Sequence, residues 1–460
     1  MKVTELIKFG KKAIGLFDEY VAEKNIEPPM RVYIRHFTTE LDISETSGRS
    51  QGSSEIIEKP DWSKIVFDFM KEKVKPMPEF MQLNQSIAKG YKQNINVLAK
   101  GANEVSQCAF WLEGFIQRLI YDKLDGSVSE DSLIEYASLF KSELELSPTE
   151  YRYVHYLDGI FVKTDSVRIN DNVLIRKTQE SDLEYTRDIF FDIPSPRYMG
   201  LPSSIMEVDI SAKDERDCHD YINRIFNALR LYKLGSIYST ESISTKRTII
   251  WPMAQGRSRG GRNYSAFRKY TVKEMEIDTF VNFINAAEQK LSFDKDEKKF
   301  RSLHISTERY NSALLESIDV DRKLMTAVMG LESLSTFEKD RGENAFKLGI
   351  RVAKLLGHLN FDAERVRALV EEAYNFRSKV VHGSYISQEG RKRMNEILPR
   401  ILNYLRVSLI TFLLNQEIGK DKIIGIIDKS TISDIHNEEL KKLVKKGIEE
   451  YGAVVFQEVT

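Results

Sequence analysis

The first 25 residues carry apolar side chains three or four positions apart, the spacing of one face of a helix. That face consists of Leu6, Phe9, Ala13, Leu16, Phe17 and Tyr20. Residues 31–37 then alternate between apolar and polar positions, as a short strand does. The Ser- and Gly-rich stretch 44–54 predicts a mobile loop, and residues 82–146 return to helical spacing. We therefore predict that residues 1–147 form a helical N-terminal region with a short strand.

After residue 147 the pattern changes to short alternating runs, broken by Asp-Gly and Asn-Asp-Asn turns that are typical of hairpins. The predicted strands are residues 157–163, 166–169, 173–176, 204–211 and 248–251, with a helix at 214–234. Helical spacing dominates from residue 278, and the predicted helices are 280–291, 310–337, 344–356, 362–381, 389–414 and 437–451. Gly342, Gly357, Gly383 and Gly419 lie where these helices should break.

These patterns predict an α+β fold. Its predicted parts are the N-terminal region, an α+β region at 148–253, a basic Gly/Arg loop and linker at 254–277, a helical bundle at 278–420 and a C-terminal helical extension at 421–460. The length of 460 residues suits two or three domains, because single cores stop growing beyond roughly 250 to 300 residues.

Cysteine and histidine usage limits the chemistry. Only Cys108 and Cys218 occur, which excludes a disulfide framework and a cysteine-type zinc site. None of the seven histidines lies in a His-Glu-x-x-His pattern, so we expect no metal and no cofactor. The chain start has Glu5 and Lys8 within its apolar stretch, which does not resemble a secretory signal. We expect a reduced, cytoplasmic setting and no membrane partner, since the apolar run at 405–414 is shorter than the roughly 20 residues of a span.

The overall charge is close to zero, with 68 basic and 69 acidic side chains. Binding to nucleic acid must therefore come from local patches. One candidate is the glycine-rich stretch 254–270, whose rings Tyr264, Phe267 and Tyr270 could stack on bases. Its cations, which we assign to RNA binding, are Arg257, Arg259, Arg262, Arg268 and Lys269. An ordinary solvated surface loop explains the same composition equally well.

Two of the three arginines that closely precede a histidine have simple explanations. Arg31 and His36 lie in a predicted strand, where an odd separation sends side chains to opposite faces. Arg351 and His358 lie near one face of a helix, but Gly357 should end that helix, and a structural role is favoured.

The third pair is Arg377 and His382. Five positions on one helix separate their directions by about 140°, so a single chain does not bring them together as a compact pair. A second copy of the same helix could supply the missing partner.

Residues 310–414 resemble the Apea-like branch of the HEPN superfamily. The resemblance rests on YNSAL from Tyr310, RKLMTAVMGLESL from Arg322, LGIRVAKLL from Leu348 and, most of all, FRSKVVHG at 376–383. In that branch a helix with the pattern Ala-Leu-Glu-x-Leu precedes such an Arg-Ser-Lys segment, and Gly330 here replaces the usual alanine.

The resemblance implies a bundle of four or five helices that forms a homodimer and places two Arg/His pairs in one cleft. Members of this kind are typically metal-independent endoribonucleases in antiviral defence, abortive infection or toxin systems. By position, His382 matches the catalytic histidine and Arg377 the catalytic arginine, while Glu332 and Ser378 are assigned supporting roles. The implied partner is RNA, and the N-terminal two-thirds would sense a phage or host trigger ligand.

The residue types suit that chemistry. Histidine can act as acid or base near neutral pH, since its unperturbed pKa is about 6.5. Arginine keeps its charge and offers a planar fork to phosphate oxygens. The expected products are a 2′,3′-cyclic phosphate and a 5′-hydroxyl.

Other interpretations stay open at this point. His382 could simply cap carbonyls at a helix end, and Arg377 could pair with Glu371 or Glu372. The bundle could be an inactive dimerisation or nucleotide-binding module in a sensor protein. The chain could also be a plain nucleic-acid-binding protein that works through its basic loop.

Overall fold

The computed structural model describes residues 2–43, 48–94, 104–126, 128–188, 202–246, 248, 255–259, 268–293, 297–316, 319–340, 342–452 and 454. It is 62% helical and 18% strand, with the strands in the first part of the chain and helices in the second. The predicted α+β class is confirmed.

The described helices are α1 (Val3–Glu23), α2 (Ser63–Phe69), α3 (Pro78–Gly90), α4 (Glu104–Leu124), α5 (Glu130–Leu144), α6 (Glu215–Tyr232), α7 (Ile277–Lys290), α8 (Arg301–Leu315), α9 (Val320–Ser335), α10 (Asn344–Gly357), α11 (Ala363–Val381), α12 (Gln388–Leu414), α13 (Lys420–Lys429) and α14 (Asp434–Glu449). The described strands are β1 (Met30–Ile43), β2 (Gly48–Pro60), β3 (Thr149–Asp158), β4 (Ile160–Val162), β5 (Ser166–Asn170), β6 (Val173–Lys177), β7 (Tyr185–Asp188), β8 (Ser204–Ala212), β9 (Tyr238–Lys246), β10 (Gln255–Arg259) and β11 (Tyr270–Val272).

Helices α1 to α5 surround a hydrophobic core of their own, which runs from Leu6 to Leu144 along the chain. Close approach of α1 to α4 depends on a glycine: a Cβ on Gly10 would lie 2.9 Å from Leu119 Cδ1. The apolar face predicted for the first helix is the face that packs here, with Leu6, Phe9, Ala13, Phe17 and Tyr20 buried.

Strands β1 and β2 form a long antiparallel ribbon, and β7 pairs with the other edge of β1. The strand predicted at 31–37 is therefore longer than expected. The mobile loop predicted at 44–54 is wrong for residues 48–54, which pair with β1, while residues 44–47 lie outside the described part of the chain. Ser and Gly signal loops by composition, but an exposed ribbon needs no apolar alternation to hold its backbone hydrogen bonds.

The main sheet has the strand order β10-β9-β3-β8-β6-β5, and each neighbouring pair is antiparallel. Helix α6 packs on it and buries Ile222, Ile225 and Leu229 in a common core with the strands. The strand predicted at 248–251 lies outside the described residues except for Thr248, which is not in a strand.

Helices α7 to α14 form the C-terminal bundle. The single helix predicted at 310–337 is divided into α8 and α9, because the backbone becomes extended at Glu316 and again at Asp319. Among the described helices, α12 is long and apolar enough to cross a bilayer by length and composition, but 89% of its apolar window is buried inside the protein. It is the central helix of the bundle.

The sheet region and the bundle share one continuous hydrophobic core, so the boundaries predicted at 253 and 277 separate segments that pack together. The stretch predicted as a loop and linker at 254–277 contains β10 and β11. Strand β11 pairs in parallel with β4, and the Tyr270 side chain is buried.

Candidate active site

Helix α11 carries the Arg377 and His382 pair, and its two ends are defined by local sequence. Asp362 caps the first turn by accepting a hydrogen bond from the Arg365 amide at 3.1 Å. At the other end the His382 amide donates to the Ser378 carbonyl at 3.1 Å, and Gly383 adopts a φ of 67° that favours glycine. His382 is thus the first residue after the helix, and its side chain is exposed.

Arg377 lies one turn earlier and points towards α9. Its Nη2 atom is 3.4 Å from Oε2 of Glu332, and its guanidinium lies 5.5 Å from the centre of the Tyr374 ring. The Arg377 side chain is 25% exposed and that of Glu332 is 20% exposed, so the ion pair is largely shielded from water. The Nε atom of Arg377 is buried without a hydrogen-bond partner in the described structure.

Glu332 has a perturbed environment. Burial raises the pKa of its carboxyl group, while the charge of Arg377 and a hydrogen bond from Tyr374 act in the opposite direction. Tyr374 therefore contacts both members of the ion pair, a role that the sequence pattern did not reveal. Its position three residues before Arg377 was the available signal, since such residues share a helix face.

The alternative partners of Arg377 are engaged elsewhere. Glu371 accepts a hydrogen bond from Arg367 at 2.8 Å, and Glu372 accepts two from Arg393 at 2.8 and 2.9 Å. The interpretation that pairs Arg377 with Glu371 or Glu372 is therefore wrong, because residues five or six positions apart do not share a helix face.

His382 has different surroundings from Arg377. Its neighbours Val381 and Tyr385 are 52% and 89% exposed. Within the described ranges, no hydrogen bond or ion pair reaches its imidazole, so it caps the helix through its backbone amide and not through its ring. One chain does not bring Arg377 and His382 together, as the helical angle predicted.

Exposed cations surround the end of α11. Lys379 precedes His382 by one turn, and Arg391 and Lys392 lie in the first turns of α12, with Glu389 as the acid nearby in sequence. Ser378 is half-buried beside them and contributes its carbonyl to the helix end.

Gly330 occupies a tight place on α9. A Cβ there would lie 2.8 Å from Leu405 Cδ2, so the alanine expected from the family resemblance would require Leu405 to move.

The other Arg–His pairs serve structure. Arg351 is 5% exposed and donates to Asp340 at 2.6 Å and to Asp428 at 2.7 and 2.9 Å, which joins α10 to α13. Arg31 lies 3.5 Å from Asp61, whereas His36 Nδ1 is 2.7 Å from the Ser54 hydroxyl.

The structure describes only part of the predicted RNA-binding loop. Arg262 lies outside the described residues, and Arg257 and Arg259 are described only as backbone of β10. Lys269 forms an ion pair with Asp158 at 2.7 Å, and the Arg268 backbone bonds to Ser236. The charge of Lys269 is thus used within the fold.

Sequence reasoning treated His155 and His219 as unrelated polar residues, but Tyr153 lies between them at ring distances of 6.2 and 5.7 Å. Burial and the neighbouring His219 lower the pKa of His155 to about 4. Among the described residues no group of His, Cys, Asp and Glu could hold a metal ion.

No family model, curated protein or solved structure matches the chain. The class of the protein must therefore be argued from the chemistry of α9, α11 and α12.

Proposed function

We propose that the protein is a metal-independent endoribonuclease of the HEPN type that acts as a homodimer. The observation that carries the proposal is the arrangement on α11, where Arg377 is oriented by Glu332 while His382 stays exposed at the helix end. A charge held in place beside an accessible imidazole suits phosphodiester cleavage.

Each residue has a defined part in this chemistry. One imidazole takes the proton from the 2′-hydroxyl as that oxygen attacks the phosphorus. A second imidazole gives a proton to the leaving 5′-oxygen, which produces a 2′,3′-cyclic phosphate and a 5′-hydroxyl. Arg377 stabilises the extra negative charge on the phosphorane, because its guanidinium remains charged at working pH.

Two imidazoles require two chains, since each chain has one histidine at this position. Val381 and Tyr385 beside His382 expose apolar surface that a second copy would cover. A two-fold contact there would bring both His382 side chains to one phosphate.

The biological setting that we propose is antiphage defence or abortive infection. The separate core of α1 to α5 supports a distinct role for the N-terminal region, which we propose as the sensor of a trigger ligand.

The decisive experiment is RNA cleavage by the purified full chain in the presence of a metal chelator. Replacing His382 by alanine should reduce the rate about 10²- to 10⁴-fold, because it removes a proton-transfer group. His436→Ala, on α14, is the matched control and should cleave normally. The cleaved ends should carry cyclic phosphate. Equal cleavage by wild-type and H382A protein would contradict the proposal, and unchanged phage restriction by H382A would favour an inactive sensor module.

A further inference from the structure

A groove of about 710 Å³ runs between α10 and α11 and is bounded at one end by Thr431 and Asn437. Its volume lies within the roughly 300 to 1,000 Å³ of typical small-ligand sites. The groove is open because Ala353, Gly357 and Ala368 in its walls are small.

The groove is continuous with the proposed catalytic face. On α11 it is lined by Glu364, Ala368 and Glu371, and steps of three or four residues from Glu371 lead to Ser378 and His382 on the same face. The rise of a helix places Glu371 about 16 Å from His382 along α11. Arg377 lies on a different face, against α9.

The charge of the groove is balanced, unlike the basic end of α11. Lys354 and Arg367 are offset by Glu364 and Glu371. Such a lining is unsuited to a phosphate, which favours cations, but it suits a neutral, flat group that needs hydrogen-bond acceptors. The phosphates would instead follow the exposed cations near His382.

The polar atoms in the groove are mainly acceptors. Arg367 donates to Oε1 of Glu371, which leaves Oε2 outside that bond, and Glu364 is exposed at the start of α11. Carboxylate oxygens accept hydrogen bonds from the exocyclic amino groups of bases. Ile350 and Ala353 supply apolar surface for the face of a base.

We infer that this groove binds one base of the RNA substrate, a few nucleotides from the cleaved bond, and selects a base with an exocyclic amino group. The inference rests on the proposed ribonuclease function. Cytosine should be preferred to uracil, because its amino group donates where uracil presents another acceptor to a carboxylate.

The test uses the full chain with His382→Ala, so that RNA stays intact. Short fluorescent oligouridines carry a single cytidine at successive positions, and affinity is measured by anisotropy. We expect one position at which cytidine strengthens binding about ten-fold or more. Ala368→Trp, which fills the groove, should remove that gain, whereas Ala22→Trp on the exposed face of α1 should keep it. Glu371→Gln should weaken it.

Three results would overturn the inference. Cytidine could have no preferred position, the preference could survive Ala368→Trp, or Ala368→Trp could instead change the oligomeric state and so identify the groove as a contact between copies. Cleavage by wild-type protein in chelator is measured in parallel. If wild-type protein cleaves RNA and the groove variants have no effect, the subsite is wrong and the nuclease stands; if it neither cleaves nor binds RNA, both fail.

Discussion

Tyr374 connects the two charged residues of the candidate site. Its ring lies under the Arg377 guanidinium, and its hydroxyl donates a hydrogen bond to Glu332. In the proposed nuclease, Arg377 would reach the phosphate only if Glu332 stays ionised and holds it. Tyr374 is therefore a positioning residue, which acts through the ion pair and not on the substrate.

The pH dependence of cleavage should report this role. Tyr374→Phe removes an interaction that lowers the pKa of Glu332, so Glu332 should become protonated at a higher pH than in the wild type. The acidic limb of the kcat profile should move to higher pH, with a loss of up to about ten-fold near neutrality. Tyr121→Phe, in the N-terminal region, is the control. An unchanged acidic limb in Tyr374→Phe would exclude the positioning role.

His155 couples folding to pH. Its pKa in the folded protein is lowered to about 4, so between that value and its usual 6.5 the unfolded chain binds more protons. Stability should therefore fall as the pH drops through this window, by about 2 kcal/mol from pH 7 to pH 5 for this group. His155→Phe should show a shallower loss in urea unfolding at the two pH values. Equal slopes for the two proteins would show that His155 is not the cause.

At the scale of elements, the β1–β2 ribbon differs from the main sheet. None of its described side chains is buried, and β2 has a free outer edge. A two-stranded ribbon without a packed face is only marginally stable. In β3, by contrast, Tyr151, Tyr153 and Leu157 are buried in the core.

Hydrogen exchange should distinguish these two elements. Amides of β2 should exchange with much weaker protection than those of β3, because local opening of the ribbon exposes no apolar surface to water. The comparison is internal to one sample and needs no variant. Equal protection in the two strands would mean that another chain covers the ribbon in solution.

Arg406 holds the whole molecule together. It is fully buried on α12, and its guanidinium donates to the carbonyls of Leu231, Tyr232 and Val454 at 2.7 to 3.0 Å. Burial lowers its pKa to about 10. These bonds join the central helix of the bundle to the end of α6, and thereby to the sheet.

Removing this guanidinium should be costly. Arg406→Met leaves several buried carbonyls without these donors, and we expect a loss of about 3 kcal/mol or more in the free energy of unfolding. Arg391→Met, at an exposed site of the same helix, should change stability by less than about 0.5 kcal/mol. Urea unfolding measures both. A loss below about 1 kcal/mol for Arg406→Met would contradict the central role of these bonds.

Periodic helices and the glycines between them could be predicted from the sequence, because helical spacing and chain breaks are local properties. Thus α10, α11 and α12 lie close to their predicted bounds, and Gly383 ends α11 as expected. Strand β2 could not be predicted, because its pairing with β1 is visible only in three dimensions. The partner of Arg377 was equally hidden, since Glu332 lies 45 positions earlier on another helix.

The amino-acid pattern by itself determined the α+β class, the helical C-terminal half and the exposed position of His382 after a helix, since each follows from spacing along one segment. Tertiary structure alone decided that Arg377 faces Glu332, that Lys269 is spent on Asp158, and that small side chains of α10 and α11 leave a groove leading towards His382. The physical reason is that ion pairs and cavities depend on which surfaces pack together, and packing joins residues that are distant in the chain.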